Sequence, residues 1–286
     1  MGLTRAAWRG GQLLRIAVRA MRQGGAHAGS TSARAQQLHA ALAELVAGHG
    51  FRISVSGRWP RTPSILVANH LSYLDPILIG ACLPLAPVAK AEVGPWPFIG
   101  PAARNLGAIF VDRADPHSGA AALRCAAKAL DAGVHVLIFP EGTTTAGDVP
   151  LPFHLGAFGL AALCRVPVVP VAIRYASPEL AWTGGATFLP HYLRTAARQD
   201  TGVRLQVGAP LSPRPLPRKG ELSRHRRAAA HELCVAAHGA LSALLRPPTL
   251  ESFDDATIRH GVPAPRAHAV LSPARQRAAG AGLLAR

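Results

Sequence analysis

The run Ile65-Leu66-Val67-Ala68-Asn69-His70-Leu71-Ser72-Tyr73-Leu74-Asp75-Pro76 decides how the chain folds. Ser64–Ala68 is apolar and rich in branched side chains, which predicts a strand buried on both faces. Asp75-Pro76 predicts a helix start, because Asp is a favoured cap and Pro a favoured first helical residue. A strand that feeds a helix through a short polar loop is the opening of an α/β unit. On one continuous helix, His70 and Asp75 would lie about 500° apart and share no face. They can meet only if the strand ends at His70 and the helix begins at Asp75.

Outward from this run, strand and helix signals alternate. Phe51, Ile53 and Val55 alternate as in a half-buried strand. Short strands are expected near Ala86–Lys90 and Ala108–Asp112, then an alanine-rich helix over Ser118–Ala132, closed by Gly133. Val134–Phe139, Val168–Ile173 and Val203–Val207 read as strands, and Glu221–Leu245 as a long helix. The fold expected is α/β, a central largely parallel or mixed sheet flanked by helices, with an N-terminal amphipathic helical segment.

Three regions are expected: a basic helical membrane-association segment over 1–50, a catalytic domain over 51–245, and a loosely structured tail over 246–286. Residues 1–24 interleave Trp8, Leu13, Leu14, Ile16, Val18 and Met21 with Arg5, Arg9, Arg15, Arg19 and Arg22. That mixture suits a helix lying at a lipid interface, although the apolar residues form no clean stripe. Residues 23–33 read as a flexible linker, and 35–48 as a short helix with Leu38, Leu42 and Val46 on one face.

The formal net charge is +16, which favours acidic partners such as an anionic membrane. Only three basic residues are lysine, and the chain is rich in Ala, Gly, Pro and Arg, so part of the excess is compositional. Cys82, Cys125, Cys164 and Cys234 are far apart and suit buried thiols in a reducing compartment rather than a disulfide frame or a metal site. No secretory signal is expected, and no uninterrupted apolar run approaches the roughly 20 residues of a membrane span. Membrane attachment is therefore expected at the surface.

The chemistry rests on two stretches. His70 with Asp75 can form a base pair in which the carboxylate fixes the imidazole tautomer and stabilises the imidazolium. Equally, Asp75 can cap a helix and His70 can be an ordinary loop residue, one of thirteen histidines. Phe139-Pro140-Glu141-Gly142-Thr143 ends a strand in a rigid turn that presents an acid at the sheet edge. Ser72 lies close to His70, but no Gly-x-Ser-x-Gly elbow surrounds it, which argues against a serine hydrolase.

Taken in order, four blocks resemble those of the glycerolipid acyltransferases, the family of 1-acylglycerol-3-phosphate acyltransferases. Asn69–Asp75 resembles the catalytic histidine–aspartate block, and Gly107–Arg113 the block whose arginine meets the acceptor phosphate. Phe139–Thr143 resembles the acceptor-binding block, and Val166–Ile173 the apolar strand that supports the acyl site. Lys90-Ala91-Glu92 also fits, and the likeness covers about residues 50–210.

The resemblance implies O-acyl transfer in membrane phospholipid biosynthesis. His70 would be the base, Asp75 its partner, and Arg113, Glu141, Gly142, Thr143 and Thr144 would bind the acceptor. The acyl donor would be acyl-CoA or acyl carrier protein, with no bound cofactor and no metal. The implied acceptor is 1-acylglycerol-3-phosphate, giving phosphatidate. Many family members carry arginine where this chain has Thr144, and a hydroxyl brings no charge to a phosphate. Such Thr-Thr variants are similar to members that acylate other lysolipids, lyso-ornithine lipid among them. The implied location is the cytoplasmic face of the membrane, peripheral or monotopic. A nucleic-acid-binding protein would account for the charge, but aromatics are only 5% and no basic-aromatic stacking motif occurs.

Overall fold

The computed structural model describes residues 2–26, 29–112, 114–145, 147, 149–184, 186–214 and 222–246. The expected tail beyond 246 lies outside the described residues. Seven strands form one sheet: β1 (Arg52–Ser56), β2 (Ile65–Ala68), β3 (Leu85–Lys90), β4 (Ile109–Val111), β5 (His135–Ile138), β6 (Val168–Tyr175) and β7 (Gly202–Val207). Their order across the sheet is β1-β7-β6-β2-β5-β3-β4. Every neighbouring pair is parallel except β6 with β7, so the sheet is mixed but largely parallel, as expected.

β2 is the centre of the sheet. All four of its residues are buried, and period-two alternation sends them to opposite faces. Ile65 and Val67 join a core with Val136, Phe158 and Val168, whereas Leu66 and Ala68 join a second core with Leu78, Ile79, Val169 and Ile173. The first face is covered by α5 (Pro116–Asp131), α6 (Gly156–Cys164) and α8 (Leu222–Leu245), the second by α2 (Thr31–Gly48) and α3 (Leu74–Gly80). Because β2, β3, β4, β5 and β6 run in parallel, their C-terminal ends share one edge. Ligands in open α/β sheets bind at such an edge. The segments after β2, β5 and β6 therefore converge there, although they lie far apart in sequence.

Several expectations shift. The helix expected from Pro76 starts at Leu74, with Tyr73 in the cap position and no side-chain cap. Asp75 sits inside the first turn, and its carboxylate folds back on the preceding loop instead of capping forward. The linker expected over 23–33 is shorter: α1 (Gly2–Ala26) continues through Ala26, and α2 begins at Thr31 because the Ser30 hydroxyl accepts from the N–H of Ala33. Cys125 is exposed rather than buried, because α5 turns Ala122, Ala126 and Ala129 to the core and leaves position 125 on the outer side. The three helices not anticipated are α4 (Ile99–Asn105), α6 and α7 (Phe188–Ala197).

α1 packs against α4 and α7. Its buried face is built mostly of small residues, Ala6, Ala17 and Ala20 beside Ile16, while Leu3, Trp8 and Leu14 point outward. Large apolar side chains thus lie on both sides of α1, Ile16, Leu13 and Met21 toward the core and Leu3, Trp8 and Leu14 away from it, which is why no single stripe is visible in the sequence. Four of the five arginines in residues 1–24 have protein partners. Arg5 and Arg9 donate to the carbonyls of Ala196, Ala197 and Arg198 at the C-terminal end of α7, where a cation also complements the helix dipole. Arg15 and Arg19 pair with Glu44 of α2.

α8 is long and apolar enough to cross a membrane by length and composition, with mean hydropathy 1.3 over His225–Leu245. One face is nevertheless spent on the core: Ala230, Leu233, Ala237 and Leu241 pack under α6 and β6. The other face of α8, Val235 included, is exposed.

Candidate active site

The loop after β2 is held at almost every polar atom. β2 ends its ladder at Ala68, paired with Val171. The Asn69 side chain then donates to Ile173 O at 3.0 Å and accepts from Ile173 N at 2.8 Å, extending the ladder by one step. This frees the main chain of residue 70 to turn away from the sheet. His70 N donates to Glu141 Oε1 at 3.1 Å, Thr145 N donates to His70 O, and Trp182 N donates to Leu71 O.

Asp75 is wholly buried and is the hub of this loop. Its Oδ2 accepts from Leu71 N at 2.6 Å, from Ser72 N at 2.8 Å and from His70 Nδ1 at 2.8 Å. Its Oδ1 accepts from the Tyr175 hydroxyl. An ionised carboxylate only accepts, so the proton of the His70–Asp75 bond lies on Nδ1 and Nε2 keeps its lone pair. The imidazole stacks on Phe139, with centroids 4.1 Å apart and planes 19° apart, and remains 18% exposed. One ring nitrogen is therefore fixed while the other faces outward, the arrangement a base requires.

Glu141 is nearly buried, and each of its oxygens is engaged: Oε1 by His70 N and Oε2 by Leu151 N at 3.2 Å. Burial raises its carboxyl above the ordinary value, and the N–H donors of Leu151 and His70 pull it back. Glu141 thus ties the loop after β2 to the loop after β5. Gly142 holds φ 77°, a left-handed turn that favours glycine, and carries the chain from Glu141 to exposed Thr143 and half-buried Thr144. Thr145 N reaches His70 O, so the turn over 142–144 leads directly into the strand-to-helix loop that carries His70. Arg113 lies outside the described residues.

Two partners in this site were not legible in the sequence: Tyr175, and the Asn69 amide that fixes where the loop departs. The one signal for Tyr175 is its position, a polar aromatic residue ending the apolar β6 run at the same edge as His70.

A family model described as Acyltransferase matches residues 52–174. The chain is 37% identical over 188 residues to the lyso-ornithine lipid O-acyltransferase of Pseudomonas aeruginosa, covering 64% of this chain and 72% of the relative. The chain belongs to the acyltransferase family. It is also 33% identical over 128 residues to the 1-acyl-sn-glycerol-3-phosphate acyltransferase of Neisseria gonorrhoeae, covering 45% of this chain and 49% of that one. In fold it matches the crystal structure of the 1-acyl-sn-glycerophosphate acyltransferase from Thermotoga maritima, with TM-score 0.55 and 22% identity over 87% of this chain and 100% of that chain.

Proposed function

We propose that this acyltransferase moves an acyl group from a thioester to the free hydroxyl of a lysolipid. The observation that carries the reading is the His70–Asp75 pair, with Nδ1 committed to a buried carboxylate and Nε2 outward on the binding edge of the sheet. Nε2 takes the hydroxyl proton as the oxygen attacks the thioester carbonyl. The C–S bond breaks, and the imidazolium returns the proton to the departing thiolate. No protein nucleophile is needed, because the acceptor supplies its own oxygen. The donor is acyl-CoA or acyl carrier protein, both acidic and suited to a chain of net charge +16.

Thr144 and the relatives named for lyso-ornithine lipid favour that acceptor, with 1-acylglycerol-3-phosphate the second reading. The test is kcat/KM for a panel of lysolipids with both donors. Lyso-ornithine lipid should be acylated more efficiently than 1-acylglycerol-3-phosphate. Thr144→Arg should raise the phosphate-bearing acceptor relative to the other by about 10- to 100-fold, the worth of one charged hydrogen bond. Arg113→Ala should lower the phosphate-bearing acceptor most. A wild type that prefers 1-acylglycerol-3-phosphate, with a ratio untouched by Thr144→Arg, would remove position 144 from the head-group site. Transfer to none of the panel would reject the reading.

The enzyme meets the bilayer from one side, at the cytoplasmic face. The outward side of α1 carries Leu3, Trp8 and Leu14 with Arg22, and Phe98 before α4 and Leu189 and Leu193 on α7 are also exposed. Removing α1 would uncover apolar side chains on its neighbours, Leu38, Leu45, Leu106 and Tyr192 among them, so point changes are the cleaner test. Trp8→Glu with Leu14→Glu should cut sedimentation with anionic vesicles by more than about 10-fold, since burying each such side chain contributes about 1.5–3 kcal/mol. Undiminished sedimentation would move the membrane contact off α1.

A further inference from the structure

We propose that Tyr175 is a positioning residue for acyl transfer, setting through its hydroxyl the orientation and charge of the carboxylate that serves His70. The inference rests on the reading of His70 as the base. It adds a member to the site from a strand that the histidine–aspartate run does not contain.

The two oxygens of Asp75 are served unequally. Oδ2 takes three N–H donors, from His70, Leu71 and Ser72, all on the loop that leads into α3. Oδ1 takes its donor from across the sheet edge, from Tyr175 at the end of β6, a hundred residues away. The loop donors alone would let the carboxylate swing about its last torsion, since either oxygen can face them. A donor fixed to the sheet on the far side removes that freedom. It also draws charge from the carboxylate, which moderates the pull of Asp75 on the His70 proton.

Tyr175 is well placed for this. Its ring packs against the core on the α2–α3 side of the sheet, and its backbone is held in the ladder between β6 and β7, which anchors the hydroxyl. Burial and the neighbouring Asp75 push that hydroxyl well above its ordinary range, so it stays a donor throughout the working pH. The titratable groups around the pair are few. Among the described residues, Asp75 faces the His70 ring from α3 and Glu141 faces the His70 backbone from the loop after β5, while Tyr73 faces Tyr175.

Two changes of opposite sign test the idea. Tyr175→Phe removes the donor, leaves more charge on Asp75 and favours the protonated pair. The acid limb of the kcat/KM–pH profile should then move up by about one unit. At neutral pH kcat should fall about 10-fold while KM for donor and acceptor stays within about twofold, because no substrate contact is lost. Replacing Tyr175 with 3,5-difluorotyrosine keeps the shape, strengthens the donor and should move the acid limb down. A purely structural tyrosine would leave the limb in place in both. Identical acid limbs in all three proteins therefore overturn the proposal even if Tyr175→Phe is less stable, and the isosteric variant keeps the test open if Tyr175→Phe does not fold. Loss of activity in His70→Ala, checked in parallel, separates failure of this inference from failure of the base assignment.

Discussion

His70→Ala leaves a folded protein whose acyl-transfer rate is about 100- to 10,000-fold below wild type, the usual contribution of a positioned general base. The fold should survive because the loop is not held by the imidazole. The backbone of residue 70 is fixed by Glu141 and Thr145, and Asp75 keeps Leu71 N, Ser72 N and Tyr175 as donors. What is lost is a ring stacked on Phe139 at the sheet edge. Turnover, circular dichroism and thermal midpoint should be measured on one preparation. More than a tenth of wild-type activity in a folded variant would reject His70 as the base.

The strands were legible because parallel, doubly buried strands are written as apolar β-branched runs, and Ile65–Ala68 and Val168–Tyr175 are both of that kind. The helices that escaped are short, seven to ten residues each. α6 is nine residues and apolar all round, whereas α7 buries Tyr192 and Ala196 yet exposes Leu189 and Leu193. Pro97 and Pro101 flank the start of α4 and read as breakers, although Pro is tolerated in a first turn.

The candidate site divides along the same line. His70 and Asp75 are five residues apart, so their meeting followed from one strand-to-helix turn. Glu141 reads as an exposed acid at a turn, but its oxygens meet N–H groups of residues 70 and 151. Tyr175 reaches Asp75 only because β6 lies beside β2. Such partnerships depend on strand order, which local pattern does not encode.

Strand order also shapes the second large expected effect, because Asp75 has structural and chemical duties that two substitutions separate. Asp75→Ala leaves the buried N–H groups of Leu71 and Ser72 and the Tyr175 hydroxyl without their acceptor. Each such orphaned group costs about 1–3 kcal/mol, a large part of the roughly 5–15 kcal/mol that holds an ordinary domain. Asp75→Ala should therefore unfold at a markedly lower temperature. Asp75→Asn can keep its partners: the amide oxygen takes the three N–H donors, and the NH2 faces Tyr175, whose hydroxyl can turn to accept. It should fold nearly as well as wild type. Its His70 keeps the Nδ1 proton but loses the negative charge that steadies the imidazolium during transfer, and kcat should fall on the order of 100- to 1,000-fold. The sign of the pH effect is fixed as well. Without that charge the pair is harder to protonate, so the acid limb of kcat/KM moves down, opposite to Tyr175→Phe. Thermal midpoints paired with pH–rate profiles give the answer. If Asp75→Asn is stable and turns over within threefold of wild type, the carboxylate is a scaffold for the loop, and His70 works without it.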